Sequence, residues 1–128
     1  MTDAMPPIGH RTWAIAEGYI PGRSTGPEDL ESHETVCVLN TGDQDADVEL
    51  MVYFSDREPA GPYRIRVPAR RTVHQWCNEL DDPEPIPTAT DYAMVLRSDV
   101  PIVVQHTRLD SRASANALLT TVAHPVTG

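Results

Sequence analysis

The sequence predicts an all-β fold: a single-domain antiparallel β-sandwich of jelly-roll type with seven to eight strands. Three observations predict it. The 12 prolines and 7 glycines fall between short apolar runs, a distribution that suits many strands and turns. Only one segment, 111–123, could support a long helix. The connections between runs are very uneven in length, which favours crossing connections over an up-and-down barrel. At 128 residues the chain can bury about two-thirds of its unfolded surface around one core. The domain is expected over 10–123, with 1–9 and 124–128 as flexible ends.

The elements follow in order. The first strand is expected over Thr12–Glu17. Gly18–Ser32, GYIPGRSTGPEDLES, combines glycine, proline and acid and reads as a long loop. HETVCVLN follows, with Val36 and Val38 alternating with Cys37 and Leu39, a two-sided apolar run suited to a central strand. TGDQDAD is a turn, and VELMVYF puts Val48, Leu50, Val52 and Phe54 on one face. After SDREPAGP, YRIRV turns Tyr63, Ile65 and Val67 inward and Arg64 and Arg66 outward, and RRTVHQWC continues extended. The proline-rich acidic stretch NELDDPEPIPTATD cannot hold a ladder of backbone bonds. Tyr92–Arg97 and Pro101–Arg108 are expected as two further strands. In Ser111–Ala123 alanine and leucine favour helix, while TTVA and the surrounding pattern favour a closing strand; the reading is strand.

Composition excludes some chemistry. All ten basic residues are arginine, so no lysine amine is present for a Schiff base, a pyridoxal phosphate linkage or a Walker-type loop. A net charge of -9 repels nucleic acid and anionic lipid at long range and suits a basic partner, such as the Arg- and Lys-rich cytoplasmic loops of a membrane protein. Cys37 and Cys77 sit in apolar runs without CxxC spacing and read as small buried side chains. No apolar core of signal-peptide length opens the chain, and nowhere do about twenty apolar residues run together. The expected location is cytoplasmic.

The segment VPIVVQHTRLDSR, 100–112, passes from an apolar strand into a polar row. A period of two places His106, Arg108, Asp110 and Arg112 on one side and Gln105, Thr107 and Leu109 on the other. That row is the best candidate for a site, because a rigid strand presents its ionisable groups at the rim of the scaffold. The alternative is a strand exit whose Arg and Asp pair with each other.

Four phrases, WAIAEGYIP (13–21), SHETVCVLN (32–40), SDREPAGPYRIRVPARRTVH (55–74) and PIVVQHTRLDSR (101–112), together resemble the sensory rhodopsin transducer family. The family is named for the soluble partner of a cyanobacterial sensory rhodopsin, and the likeness keeps one order over residues 10–123. The resemblance implies a cytoplasmic β-sandwich that forms a homotetramer, performs no known chemistry and carries a signal from a membrane photoreceptor. It also implies a small-molecule-binding domain for sugar-like ligands, and for some members a link to DNA.

The family phrases gather Trp13, Glu17, His33, Glu34, His106, Arg108 and Asp110 at strand ends, and with Arg112 these form the candidate ligand site. A sugar needs an aromatic face and groups for its hydroxyls; Trp13, Tyr19 and Trp76 could supply the face, or else be core or interface aromatics. His33, Glu34 and His106 could hold a metal, giving a metal-dependent sugar-modifying enzyme. No HxH is present, however, and adjacent His33 and Glu34 point to opposite faces of a strand. Glu17, Glu34 and Asp110 could serve hydrolysis, yet no GxSxG or other signal says so. Arg64, Arg66, Arg70 and Arg71 form a ribbon that could touch DNA, or a solvated face neutralised by nearby acids. The reading is a non-enzymatic, oligomeric sensor or relay without cofactor or metal, its pocket near the Trp13, His33 and His106 strand ends, with a DNA-associated regulator as the alternative.

Overall fold

The structure, a computed structural model, describes residues 6–22, 24, 31–113 and 115–127. Eight strands follow in chain order: β1 (His10–Tyr19), β2 (His33–Asn40), β3 (Ala46–Phe54), β4 (Ala60–Val67), β5 (Arg71–Trp76), β6 (Asp91–Asp110), β7 (Ala117–Val122) and β8 (His124–Val126). A short 3₁₀ turn, Cys77–Glu79, follows β5. All pairings are antiparallel. No helix among the described residues is long and apolar enough to cross a membrane.

The strands form two sheets that share β6. Sheet A runs β4-β3-β6-β1-β8, and sheet B runs β5-β2-β6-β7. The all-β antiparallel expectation holds; jelly-roll connectivity is not confirmed by this order. The two strands expected at Tyr92–Arg97 and Pro101–Arg108 are instead the halves of one 20-residue strand. The first half pairs with β3 as far as Ser98, the second pairs with β2 from Val103, and three extra residues of β6 bulge between its pairings with Thr12 and His10. Strands that switch sheets turn such corners with bulges. Pro101 sits in this corner, where β3 and β2 make no demand on its missing N–H.

Period-two patterning builds the core between the sheets. On sheet A, Leu50 lies opposite Leu96 and Tyr63, Val52 opposite Met94 and Ala60, and Trp13 and Ile15 extend the same rows. On sheet B, Val36 and Val38 face inward beside Val104. Trp13 is buried, and its indole N–H donates to the carbonyls of His10 and Ile102, each at 2.9 Å. β1 runs two residues past its expected end, to Tyr19. Part of the long loop read at 18–32, residues 23 and 25–30, lies outside the described residues. Within the ambiguous 111–123 segment, Ala117–Val122 form a strand, and 124–126, expected to be loose, form β8 against β1.

Candidate functional site

Glu34 is the second residue of β2, and alternation turns it inward with Val36 and Val38. An isolated carboxylate there would be costly to bury, so it needs partners. It has four donors. The Tyr19 backbone N–H and the Tyr92 hydroxyl (2.6 Å) reach Oε1; His106 Nε2 and Arg108 Nε (3.2 Å) reach Oε2. An ionised carboxylate only accepts, so the proton of the His106 contact sits on Nε2. The Glu34 backbone N–H donates to Asn78 Oδ1 at 3.3 Å, and Asn78 in turn holds the Ser32 carbonyl at 3.1 Å.

The shared strand makes this convergence possible. Tyr92 reaches Glu34 from the sheet A half of β6, while His106 and Arg108 reach it from the sheet B half. Beside Tyr92, β1 carries one extra residue between Ile15 and Gly18. This bulge puts Gly18 opposite Tyr92 and turns Glu17 outward, where its carboxylate takes Arg108 Nη2 at 3.0 Å. Arg108 therefore spans the boundary, its side chain 13% exposed between fully buried Glu34 and Glu17 at 76%. The Tyr19 ring lies under the guanidinium groups of Arg108 (5.9 Å) and Arg112 (5.5 Å).

Burial pushes the Glu34 carboxyl up, but the bonds from His106 and Tyr92, the His106 field and the Tyr19 N–H outweigh it and hold it below its ordinary value. A carboxyl depressed in the folded state adds stability that is complete above its unfolded value and is lost as pH falls through the folded one. Asp110 is likewise depressed, by Arg112. Thermal denaturation followed against pH is expected to show a plateau from pH 7 to about 5, then a falling melting temperature. In Glu34→Gln the acid-side fall should be shallower; an unchanged slope would remove Glu34 as its source. Burial raises the Tyr92 hydroxyl strongly, with the Glu34 charge adding to it. The Cys77 thiol is pushed up to about 12 by burial, with the Glu34 charge adding, which suits an inert packed side chain. Both cysteines are free thiols, Cys77 buried and Cys37 half-buried.

Of the residues singled out in the sequence, Glu34, His106, Arg108 and Glu17 meet. Asp110 and Arg112 pair with each other, at 2.6 Å between Nη2 and Oδ2. His33 faces the opposite side of sheet B from His106 and stacks on Trp76, ring centroids 3.7 Å apart. The sheet geometry therefore places the two imidazoles on opposite faces of sheet B within one protomer. Trp13, expected at the pocket, is a core residue whose N–H is spent on backbone carbonyls. Sequence reasoning missed Tyr92, Asn78, Ser32 and Ser111, although an inward tyrosine in phase with Met94 and Leu96 calls for a partner for its hydroxyl. The Ser32 hydroxyl accepts the Ser111 backbone N–H at 2.9 Å.

Three clefts of 390, 330 and 420 Å³ are lined by other residues, around Pro7 and Pro101, around Pro62 and Leu80, and around His10 and Val126. The arginine ribbon is matched by acids on its own face: Arg64 with Glu49 at 2.9 Å, Arg66 with Asp45 at 3.1 Å and Arg70 with Asp43 at 3.3 Å. Arg71 donates to the Arg70 carbonyl. Three of the four ribbon arginines are thus paired with acids, which reduces the charge the ribbon offers to DNA phosphates.

The family model described as Anabaena sensory rhodopsin transducer matches residues 8–125. The chain belongs to this family. A solved structure of an Anabaena sensory rhodopsin transducer is 63% identical over 77% of this chain and 97% of that chain, with a TM-score of 0.70. A crystal structure of a Thermotoga maritima protein is 32% identical over 94% of this chain and 97% of that one, with a TM-score of 0.84. No curated protein matches. The transducer family thus accounts for the four phrases read in the sequence, and Glu34, His106 and Arg108 lie within two of them.

Proposed function

We propose that the chain is a non-enzymatic, cytoplasmic transducer that takes a signal from a sensory rhodopsin in the membrane and passes it on through the packing of a homotetramer. Its match to the transducer family along residues 8–125 carries the reading. The site supports it. Glu34 has every acceptor position occupied and is an unsuitable general base or nucleophile, whereas Arg108 links an exposed carboxylate to a buried one. A partner or small sugar-like ligand that draws Glu17 or Arg108 away at the rim changes the balance at Glu34, which joins β1, β2 and β6. Only a ligand that binds one arrangement better can shift the equilibrium between them.

The test is binding to a sensory rhodopsin reconstituted in nanodiscs. With a net charge of -9 meeting basic cytoplasmic loops, affinity is expected to fall steeply as salt rises. No binding at low salt would end the photoreceptor reading. A parallel thermal-shift screen of sugars tests the ligand: at a hundred times its dissociation constant a binder adds about 2.7 kcal/mol. A flat screen across sugars and sugar phosphates would remove it.

A further inference from the structure

We propose that the corner where β6 passes between the sheets holds a ligand site for a small organic monoanion, one carboxylate carried on a compact apolar body. The site is distinct from the Glu34 cluster and needs neither the photoreceptor nor a sugar. Its cleft of 390 Å³ lies between that corner, the chain leading into β1 and the turn after β2. Each wall is fixed by its own contacts. The Ile8 backbone N–H donates to Thr41 Oγ1 at 3.0 Å, and Gly9 takes a φ of 107° that brings the lead against β6, where a Cβ would fall 1.9 Å from the Ile102 carbonyl oxygen. Across the cleft, buried Asn40 holds the turn, accepting the Gly42 N–H at 3.0 Å and donating to the Gln44 carbonyl at 2.8 Å. A pocket already formed before its ligand arrives loses little free energy to the ordering of its walls.

The lining selects the ligand. Pro7, Val100 and Pro101 give the cleft apolar walls, and Arg11, Asp43 and Gln44 bring its polar groups. Arg11 is exposed and falls in the register gap of β1 between His10 and Thr12, so no residue of β6 is paired with it. Among the described residues, Arg11 and Arg97 are the arginines whose guanidinium has no hydrogen-bond partner, and Arg97 stands opposite Glu49 on β3. Asp43 is already matched, by Arg70 at 3.3 Å. The unmatched charge of the cleft is therefore one cation, and a planar guanidinium beside apolar walls suits a carboxylate that takes two of its N–H groups at once. A net charge of -9 works against a polyanion such as a polyphosphate. Arg11 and Pro101 also line the 420 Å³ cleft, so the guanidinium stands between two open volumes. An occupant rests on Pro101 of β6, the strand that carries Tyr92 before the corner and His106 and Arg108 after it.

The probes are sodium benzoate and sodium cyclohexanecarboxylate, titrated into the full chain and followed by amide NMR, with benzamide as the uncharged control. Saturable shifts are expected at Arg11, Gly42, Asp43 and Gln44, with a dissociation constant on the order of 1 mM for ligands of this size. Arg11→Gln should weaken binding by about tenfold or more, as should benzamide in place of benzoate, whereas Arg97→Gln should leave it unchanged. The spectrum of each variant also shows that it is folded. Shifts that never saturate with either carboxylate, or that survive Arg11→Gln, overturn the proposal. An equal loss in Arg97→Gln overturns it too, since that would show a general attraction of anions to surface arginine. Either failure leaves the transducer reading standing, because that reading draws on other residues.

Discussion

Glu34→Gln is expected to lower the melting temperature by about 10–20 °C, equivalent to roughly 3–5 kcal/mol for a domain of this size. The substitution keeps volume and removes only the charge and half of the accepting capacity. Glutamine's NH₂ must then face either Tyr19 N–H and the Tyr92 hydroxyl or His106 and Arg108, and the His106–Arg108 side offers donors where an acceptor is needed. Removing one partner from a buried charge set leaves the others uncompensated, which costs more than the pair contributes. Arg108 keeps Glu17, so the loss concentrates on the joint between β1, β2 and β6. Differential scanning calorimetry at pH 7 measures it. A drop under about 2 °C would mean that the four bonds contribute nothing net to the fold.

Gly18→Ala is expected to be nearly as damaging, at about 3 kcal/mol, although it adds one methyl group. A Cβ at Gly18 would lie 2.5 and 2.7 Å from two carbons of the Tyr92 ring and 2.8 Å from the Tyr92 carbonyl oxygen. The carbonyl belongs to a paired strand and cannot yield cheaply, so the bulge or the ring must move. Overpacking costs about 1–3 kcal/mol, and displacing the ring also breaks a hydrogen bond to a charged acceptor worth about 1.5–3 kcal/mol. The control is Tyr92→Phe, which removes the hydroxyl without crowding and should cost less. In the double variant the two losses should not add, since both act on one contact. Strict additivity by chemical denaturation would show that Gly18 acts elsewhere.

Alternation made much of the fold legible. Val48, Leu50 and Val52, and Tyr63, Ile65 and Val67, turn inward as read, and Arg64 and Arg66 turn outward into acids. The opposed directions of His33 and Glu34 were also legible, though alternation by itself did not say which faced the core. Two features broke the period. Pro101 reads as a strand boundary, because a proline in a ladder lacks its donor, yet it lies in a corner where no ladder partner is required. Counting by twos from Trp13 and Ile15 puts Glu17 in the core, yet one inserted residue sends it to Arg108 at the surface and leaves Gly18 under Tyr92.

Local pattern therefore determined the β class, the inward faces, the absence of amine chemistry and, through four phrases, the family. It also singled out His106 and Arg108 as a pair in phase. Tertiary structure alone decided that β6 serves two sheets, that Tyr92 returns to Glu34 from the other layer, that Trp13 is core, and that His33 belongs to the outer side. The reason is physical: side-chain phase is set by neighbours a few residues away, whereas a bulge, a corner and a charge buried between sheets are chosen by packing partners distant in the chain.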